Sequence, residues 1–259
     1  MRYIIPAVAT VAALLPLASQ AALVNLTIKV ENLAPTNSVA FAPLRVGLHN
    51  GSFDAFNLGD TASAAIISVA EGGSGADWFP AFAAADPTAV LGSVLPNPAG
   101  PLLPGASGTA SFTIDTDVNP FFTFAAMVVP SNDFFIGNDS PTEYRLFDMD
   151  GNLQISSITQ HARDVWDAGS EVFDAAAAAF VGNNGLRADQ NSVVAFNFAE
   201  LAAFNGLTTG AGYLFDSQLA ADSAIYRISF ETSPVPVPAA LPLLLGGLGL
   251  LGTMVRKRA

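Results

Sequence analysis

The sequence predicts an all-β fold, an antiparallel β-sandwich with short helical insertions, flanked by an N-terminal signal peptide and a C-terminal apolar helix. Three observations predict it. Apolar and polar residues alternate with period two over several short segments, and strand-like segments outnumber helical ones. Clusters of Gly, Pro, Asn and Asp separate the segments, as turns between antiparallel strands require. The 259-residue chain also carries 19 phenylalanines and no cysteine, so its core rests on apolar packing rather than on disulfides.

The first strand is read at Val24–Asn32, where Val24, Leu26, Ile28 and Val30 point one way and Asn25, Thr27, Lys29 and Glu31 the other. Further strands are expected at Leu44–Leu48, Thr109–Ile114, Phe121–Val129, Ser192–Phe198 and Ala224–Glu231. A helix is expected at Thr61–Glu71, capped by Asp60 or Thr61 and stopped by Gly72-Gly73. A second is expected at Ser170–Val181, around the alanine run 175–179, and a short third at Phe198–Phe204. Asp150-Gly151 reads as a hairpin turn between Tyr144–Phe147 and Leu153–Ile158. Leu91–Gly108, rich in proline and glycine, reads as a long surface connection.

Both ends read as address labels. Arg2, the apolar run Ile4–Leu17 and Ser19-Gln20-Ala21 have the layout of a signal peptide over residues 1–21. At the other end Pro234-Val235-Pro236-Val237-Pro238 precedes an apolar run from Ala239 to Val255 and then Arg256-Lys257-Arg258. Val235-Pro236-Val237-Pro238-Ala239 with this tail resembles the PEP-CTERM sorting signals of Gram-negative bacteria, in their Val-Pro-x-Pro-Ala variant. The resemblance implies an exosortase-type enzyme that removes residues 234–259 and passes the domain to the cell surface or matrix. A plain single-span anchor is the alternative. In either case the basic tail stays on the cytoplasmic side of the membrane. Gly247-Leu248-Gly249-Leu250-Leu251-Gly252 spells a nucleotide-binding fingerprint, but no strand precedes it, so it carries no such meaning.

With Arg2, Arg256, Lys257 and Arg258 in the two ends, residues 22–233 keep 6 basic and 22 acidic side chains, a net charge of −16. Such a domain repels phosphate backbones, which excludes nucleic acid as a partner. Nucleophilic catalysis has few parts available. There is no G-x-S-x-G, and the two histidines, His49 and His161, stand in no metalloprotease pattern. His49 reads as a structural residue ending a strand, His161 as a solvent-facing one. Trp78 and Trp166 read as packing residues first and sugar platforms second. Asp115-Thr116-Asp117-Val118-Asn119 starts like an EF-hand loop, but Pro120 stands where that loop needs glycine.

Three pieces of the middle resemble the spondin N-terminal domain family. They are Pro43–Phe56 with the helix after it, Ala126–Gly137 (Ala-Met-Val-Val-Pro-Ser-Asn-Asp-Phe-Phe-Ile-Gly), and Trp166-Asp167-Ala168-Gly169-Ser170-Glu171. The resemblance spans about Val24 to Glu231. It implies an antiparallel β-sandwich with a bound calcium ion near one edge, held by Asp133, Asp167 and Glu171. Glu171 stands where some members have aspartate, and Ser170 where they have threonine. The residues alone are compatible with the same reading: Asp133 follows a strand that ends at Pro130, and Gly169 allows a tight turn between Asp167 and Glu171. Calcium takes six to eight oxygens from carboxylates, carbonyls and water. The expectation is therefore a non-enzymatic, exported, calcium-binding surface protein. Its role would be adhesive or structural in extracellular matrix or exopolysaccharide, with a polysaccharide or surface protein as partner. A carbohydrate-active enzyme of the exopolysaccharide layer is the alternative.

Overall fold

Alternation dictates the first element. In β1 (Leu23–Asn32) the side chains of Leu26, Ile28 and Val30 are buried, while Thr27, Lys29 and Glu31 keep contact with solvent, as period-two geometry requires. A computed structural model describes residues 23–235. β1 pairs antiparallel with β5 (Ser107–Asp115) on one side and with β12 (Ala224–Pro234) on the other; β12 then pairs with β9 (Ser157–His161). The register sets Ile28 opposite Phe230 and Val30 opposite Ile228, so the buried set of each strand faces the same side.

The second antiparallel sheet runs β11 (Ala195–Phe196), β10 (Trp166–Asp167), β7 (Phe134–Gly137), β6 (Phe121–Val129), β3 (Leu44–His49) and β4 (Val90–Val94). Two short strands, β2 (Ala40–Phe41) and β8 (Tyr144–Arg145), pair with opposite ends of β6. Every residue of β6 after Phe121 is buried. The reason is that this sheet is covered on both faces, which calls for a continuous apolar strand rather than an alternating one. One face packs on the first sheet, where Phe122 meets Phe230 edge-on at 5.0 Å and Phe41 meets Tyr226 at 4.6 Å. The other face carries α1 (Ala64–Gly72) and α2 (Trp78–Ala85), whose Ile66, Val69, Trp78 and Phe82 join Ala125, Phe135 and Trp166 in a second apolar cluster.

The coarse expectation, two packed antiparallel sheets with short helices, holds, and six expected strands exist in some form. The details differ where tertiary contacts overrule local preference. The helix expected at Ser170–Val181 is absent. Asp174 accepts the backbone N–H of Ala176 through its side chain, and the Ala179 N–H donates to Ser131 O at 2.8 Å, so the alanine run is tied to the sheet edge. Alanine's helix propensity, worth a few tenths of a kcal/mol per residue, is too small to compete. The strand expected at Ser192–Phe198 shrinks to β11, because its neighbour β10 offers only two residues to pair with. α1 starts at Ala64 rather than Thr61, because Ser63 is the residue whose hydroxyl accepts the Ile66 N–H. α2, β4, β7 and β9 were not foreseen, and the supposed surface connection 91–108 contributes most of β4 and the start of β5. The turn at Asp148–Asn152 forms as expected, closed by a Phe147–Leu153 bridge. The signal peptide and the apolar run 239–255 lie outside the described residues. Among the described residues no helix is long and apolar enough to cross a membrane.

Among the described residues Trp78 Nε1 and the Tyr226 hydroxyl are fully buried in the core without a hydrogen-bond partner. The Tyr226 hydroxyl sits on a fully buried side chain and makes no hydrogen bond among the described residues. Burial drives its pKa well above the ordinary tyrosine value. An unsatisfied buried hydroxyl costs about 1–3 kcal/mol. Tyr226→Phe is therefore expected to raise the melting temperature by about 2–12 °C, since about 1 kcal/mol is worth 2–4 °C at this size. A fall in a calorimetric scan would show that the hydroxyl is satisfied in solution.

Candidate functional site

The loop between β6 and β7 and the turn after β10 are sewn together, and the seam contains the acids singled out by sequence. β7 and β10 pair so that Phe134 lies opposite Asp167 and Phe135 opposite Trp166. That pairing brings Asp133, one residue before β7, beside the turn Ala168–Glu171. The Ala168 N–H donates to Asp133 O at 3.2 Å. Gly169 takes a left-handed conformation with φ of 65°, which turns the next two amides back toward the loop. Asp133 Oδ2 accepts the Ser170 N–H at 2.7 Å, the Glu171 N–H at 3.0 Å and the Ser170 hydroxyl at 3.2 Å.

These three bonds all fall on one oxygen. Oδ1 takes none of them, and Asp133 is only 2% exposed. The pKa of Asp133 is raised from 3.8 to about 7, first by burial and then by the Asp167 carboxylate, against the opposing pull of its three hydrogen bonds. No Lys or Arg among the described residues offsets this pair. Asp167 is itself fixed from both ends: Oδ1 accepts the Gly169 N–H at 2.7 Å, and Oδ2 accepts the Asn197 amide at 3.1 Å.

Glu171 belongs to the same seam by its backbone but not by its carboxylate. Its Oε1 accepts the Asn132 amide at 3.1 Å, and Asn132 is also bonded to both backbone groups of Asp174. Burial raises the Glu171 pKa, and its charged neighbours are Glu71, Arg187 and Asp189, with Arg187 3.3 Å from Glu71. The structure thus brings Asp133 and Asp167 together and turns the Glu171 side chain into an adjoining polar group. Among the described residues no three His, Cys, Asp or Glu side chains gather closely enough to form a metal cluster by themselves. The donor chemistry of Asp133 and Asp167, hard anionic oxygens without a counter-charge, fits a hard cation completed by backbone carbonyls and water.

Asn132, Ser170 and Asn197 shape this site and were not singled out as functional. The one sequence signal for them is adjacency to the acids, since an Asn or Ser beside a buried Asp commonly serves its hydrogen bonds. The histidines lie elsewhere. His49 is fully buried, with the Gly51 N–H donating to Nδ1 and Nε2 at 3.0 Å from the Thr123 hydroxyl; burial lowers its pKa to about 4. His161 ends β9 with Nδ1 3.4 Å from Asp164. Trp78 is fully buried, and Trp166 is 6% exposed. The EF-hand-like stretch is the turn from β5 to β6, where Asp115 accepts the Asp117 N–H through its side chain.

Fold and site together define a class: an antiparallel β-sandwich in which a buried aspartate, Asp133, lies beside a half-buried one, Asp167, at a turn joining two strands of one sheet. Compared with known protein families and with curated proteins, the chain matches none of either.

Proposed function

We propose that this chain is a non-enzymatic, exported bacterial surface or matrix protein whose spondin-like sandwich is pinned by calcium and makes adhesive or structural contacts outside the cell. The observation that carries the reading is the buried Asp133 beside the half-buried Asp167. The buried Asp133 carboxylate feels the charge of the Asp167 carboxylate, with no cation among the causes acting on it, and burying uncompensated charge is expensive. Bound calcium would supply that charge and tie the β6–β7 loop to the turn after β10. Asp133 and Asp167 would hold it directly. Glu171, the third acid of the resemblance, contributes its N–H to Asp133 and a carboxylate fastened to Asn132. Export and surface delivery rest on the signal peptide and on the Val235–Ala239 motif with its apolar and basic tail, the substrate of an exosortase-type enzyme. The apolar run 239–255 would hold the chain in the membrane before processing. The adhesive role rests on the spondin resemblance and on the matrix destination that the tail implies, with polysaccharide or a surface protein as the partner.

Thermal unfolding of the full-length protein with calcium and with chelator tests the site. An ion at 100 times its dissociation constant adds about 2.7 kcal/mol, or about 5–10 °C for a domain of this size. Asp167→Asn should abolish the shift, and equal melting with and without calcium would remove the ion from the reading. Co-sedimentation with exopolysaccharide, with and without calcium, then asks whether the domain holds matrix.

A further inference from the structure

A separate cavity lies on the other side of the same short strand. Successive residues of β10 face opposite ways, so Asp167 meets the acid site while Trp166 helps to line a cleft of about 300 Å³. The aromatic floor is layered. Phe196 of β11 stacks on Trp166 at 3.8 Å and 27°, and Phe196 is 51% exposed, although it is a large apolar side chain. Trp166 is held in place by its ring N–H, which donates to Gly137 O at 3.1 Å. The walls carry Asp139, Glu143, Tyr144 and Asp164, and no Lys or Arg lines the cleft.

Charge and hydrogen bonding around the cleft are unbalanced. Asp164 has partial compensation, accepting the His161 N–H at 2.7 Å and lying 3.8 Å from Arg163. Asp139 Oδ1 is buried without a partner among the described residues. Glu143 is exposed, and its carboxylate accepts the Tyr144 hydroxyl; the surrounding protein and then Asp139 and Asp164 raise its pKa against the pull of that bond. Gln160, 5% exposed, is a further wall residue, and its side chain bonds the Tyr144 hydroxyl.

These features select a ligand class. An anion is repelled. A bare metal ion would leave most of 300 Å³ unfilled and gain nothing from a floor of Phe and Trp. A neutral ligand would leave Asp139 and Glu143 uncompensated. A positively charged group above an aromatic face and beside carboxylates satisfies both, since such contacts contribute about 0.5–2 kcal/mol from the ring alone. We propose that this cleft binds a protonated amine, an organic ammonium group seated on Phe196 among Asp139, Glu143 and Asp164. A second cavity of about 470 Å³ shares Asp164 and Phe196 with the first, so the amine can belong to a longer molecule. An amino sugar within a polysaccharide and a free polyamine share this chemistry. The proposal does not depend on calcium at Asp133.

Calorimetric titration of the full-length protein in chelator, at about pH 6 where amines are protonated, separates the possibilities. The probes are a glucosamine oligomer, its N-acetylated counterpart and spermidine. The charged oligomer should bind at least about tenfold more tightly than the N-acetylated one. Phe196→Ala and Glu143→Gln should each weaken it about tenfold, with melting temperatures confirming that both variants are folded. Tighter binding of spermidine, with the same sensitivity to both variants, supports the ammonium site and assigns it to free amines. Equal binding of the N-acetylated oligomer overturns the proposal, since the site would then read neutral sugar. So does binding untouched by Phe196→Ala, which would be attraction to an acidic surface, and so does the absence of heat with every amine at millimolar concentration.

Discussion

With divalent cations chelated, Asp133→Asn should gain stability on the wild type as the pH rises from about 4 to about 8, by about 4 kcal/mol across the interval. The sign follows from the direction of the shift. Asp133 is raised from 3.8 to about 7 in the folded protein, so folding holds its proton more tightly than the unfolded chain does. The resulting stabilisation is complete below pH 3.8 and is lost as the pH climbs through about 7. Asparagine keeps an acceptor for the Ser170 and Glu171 amides and presents an N–H₂ group where the acid proton was, so the variant does not lose what the wild type loses.

The comparison with the variant matters more than the wild-type curve alone. His49 is lowered from 6.5 to about 4, so its contribution grows as the pH rises from about 4 to 6.5 and runs against that of Asp133. The two offset each other, and the wild type should look nearly flat there while the variant rises. Glu143 and Glu171, both raised, act in the same direction as Asp133 but are present in both proteins and cancel. Asp86 and Asp148, both lowered, lose their contribution below the window, as the pH falls through their folded values. Above pH 7 only the charged Asp133–Asp167 pair remains to be relieved. Calcium added there should restore the wild type and leave the variant unmoved. Chemical denaturation at several pH values measures all of this, and parallel curves for the two proteins would mean that Asp133 is not strained by its neighbours.

Legibility in the sequence followed how local the determining interaction is. β1 and β12 could be read because one buried face imposes period two on their own residues: Leu26, Ile28 and Val30 in one, Tyr226, Ile228 and Phe230 in the other. β6 could be read because prolines bound a run whose apolar continuity reflects burial on both faces. α2 could not. Its eight residues bury only Trp78 and Phe82, its cap makes no side-chain hydrogen bond, and nothing in Trp-Phe-Pro-Ala-Phe-Ala-Ala-Ala distinguishes it from a loop over an apolar surface. β10 and β11 are two residues each and exist because β7 offers them an edge. The acid pair was found through a resemblance, and its proximity is set by the β7–β10 register. The direction of the Glu171 carboxylate was not legible, because it depends on Asn132, thirty-nine positions earlier. The cleft over Phe196 was not legible either, since Asp139 and Glu143, Asp164, and Phe196 come together only when three segments have folded.

Gly169→Ala should be among the most damaging single-methyl additions in the molecule, destabilising it by about 2–4 kcal/mol. Two effects add. The backbone of Gly169 is left-handed, with φ of 65°, and a side chain there is strained by about 1–2 kcal/mol. The new Cβ would also stand 2.8 Å from Val193 O and 3.0 Å from both the Ser192 carbonyl carbon and its Cβ. These are mostly main-chain atoms, held by the Ser192 N–H donating to Gly169 O at 2.8 Å and the Gln190 N–H donating to Ser170 O at 2.8 Å. The segment that must yield is therefore the one already bonded to the turn. Gly59→Ala provides the control. Gly59 has φ of 85° but nothing within 4 Å of an added Cβ, so it pays the backbone term alone, about 1–2 kcal/mol. The melting temperature of Gly169→Ala should fall by about 4–16 °C, clearly beyond that of Gly59→Ala. It should also lose the calcium response, because the Ser170 and Glu171 amides that define the Asp133 carboxylate move with the turn. If the two variants melt alike, Val193 and Ser192 give way freely, and the turn after β10 is too soft to hold an acid pair in place.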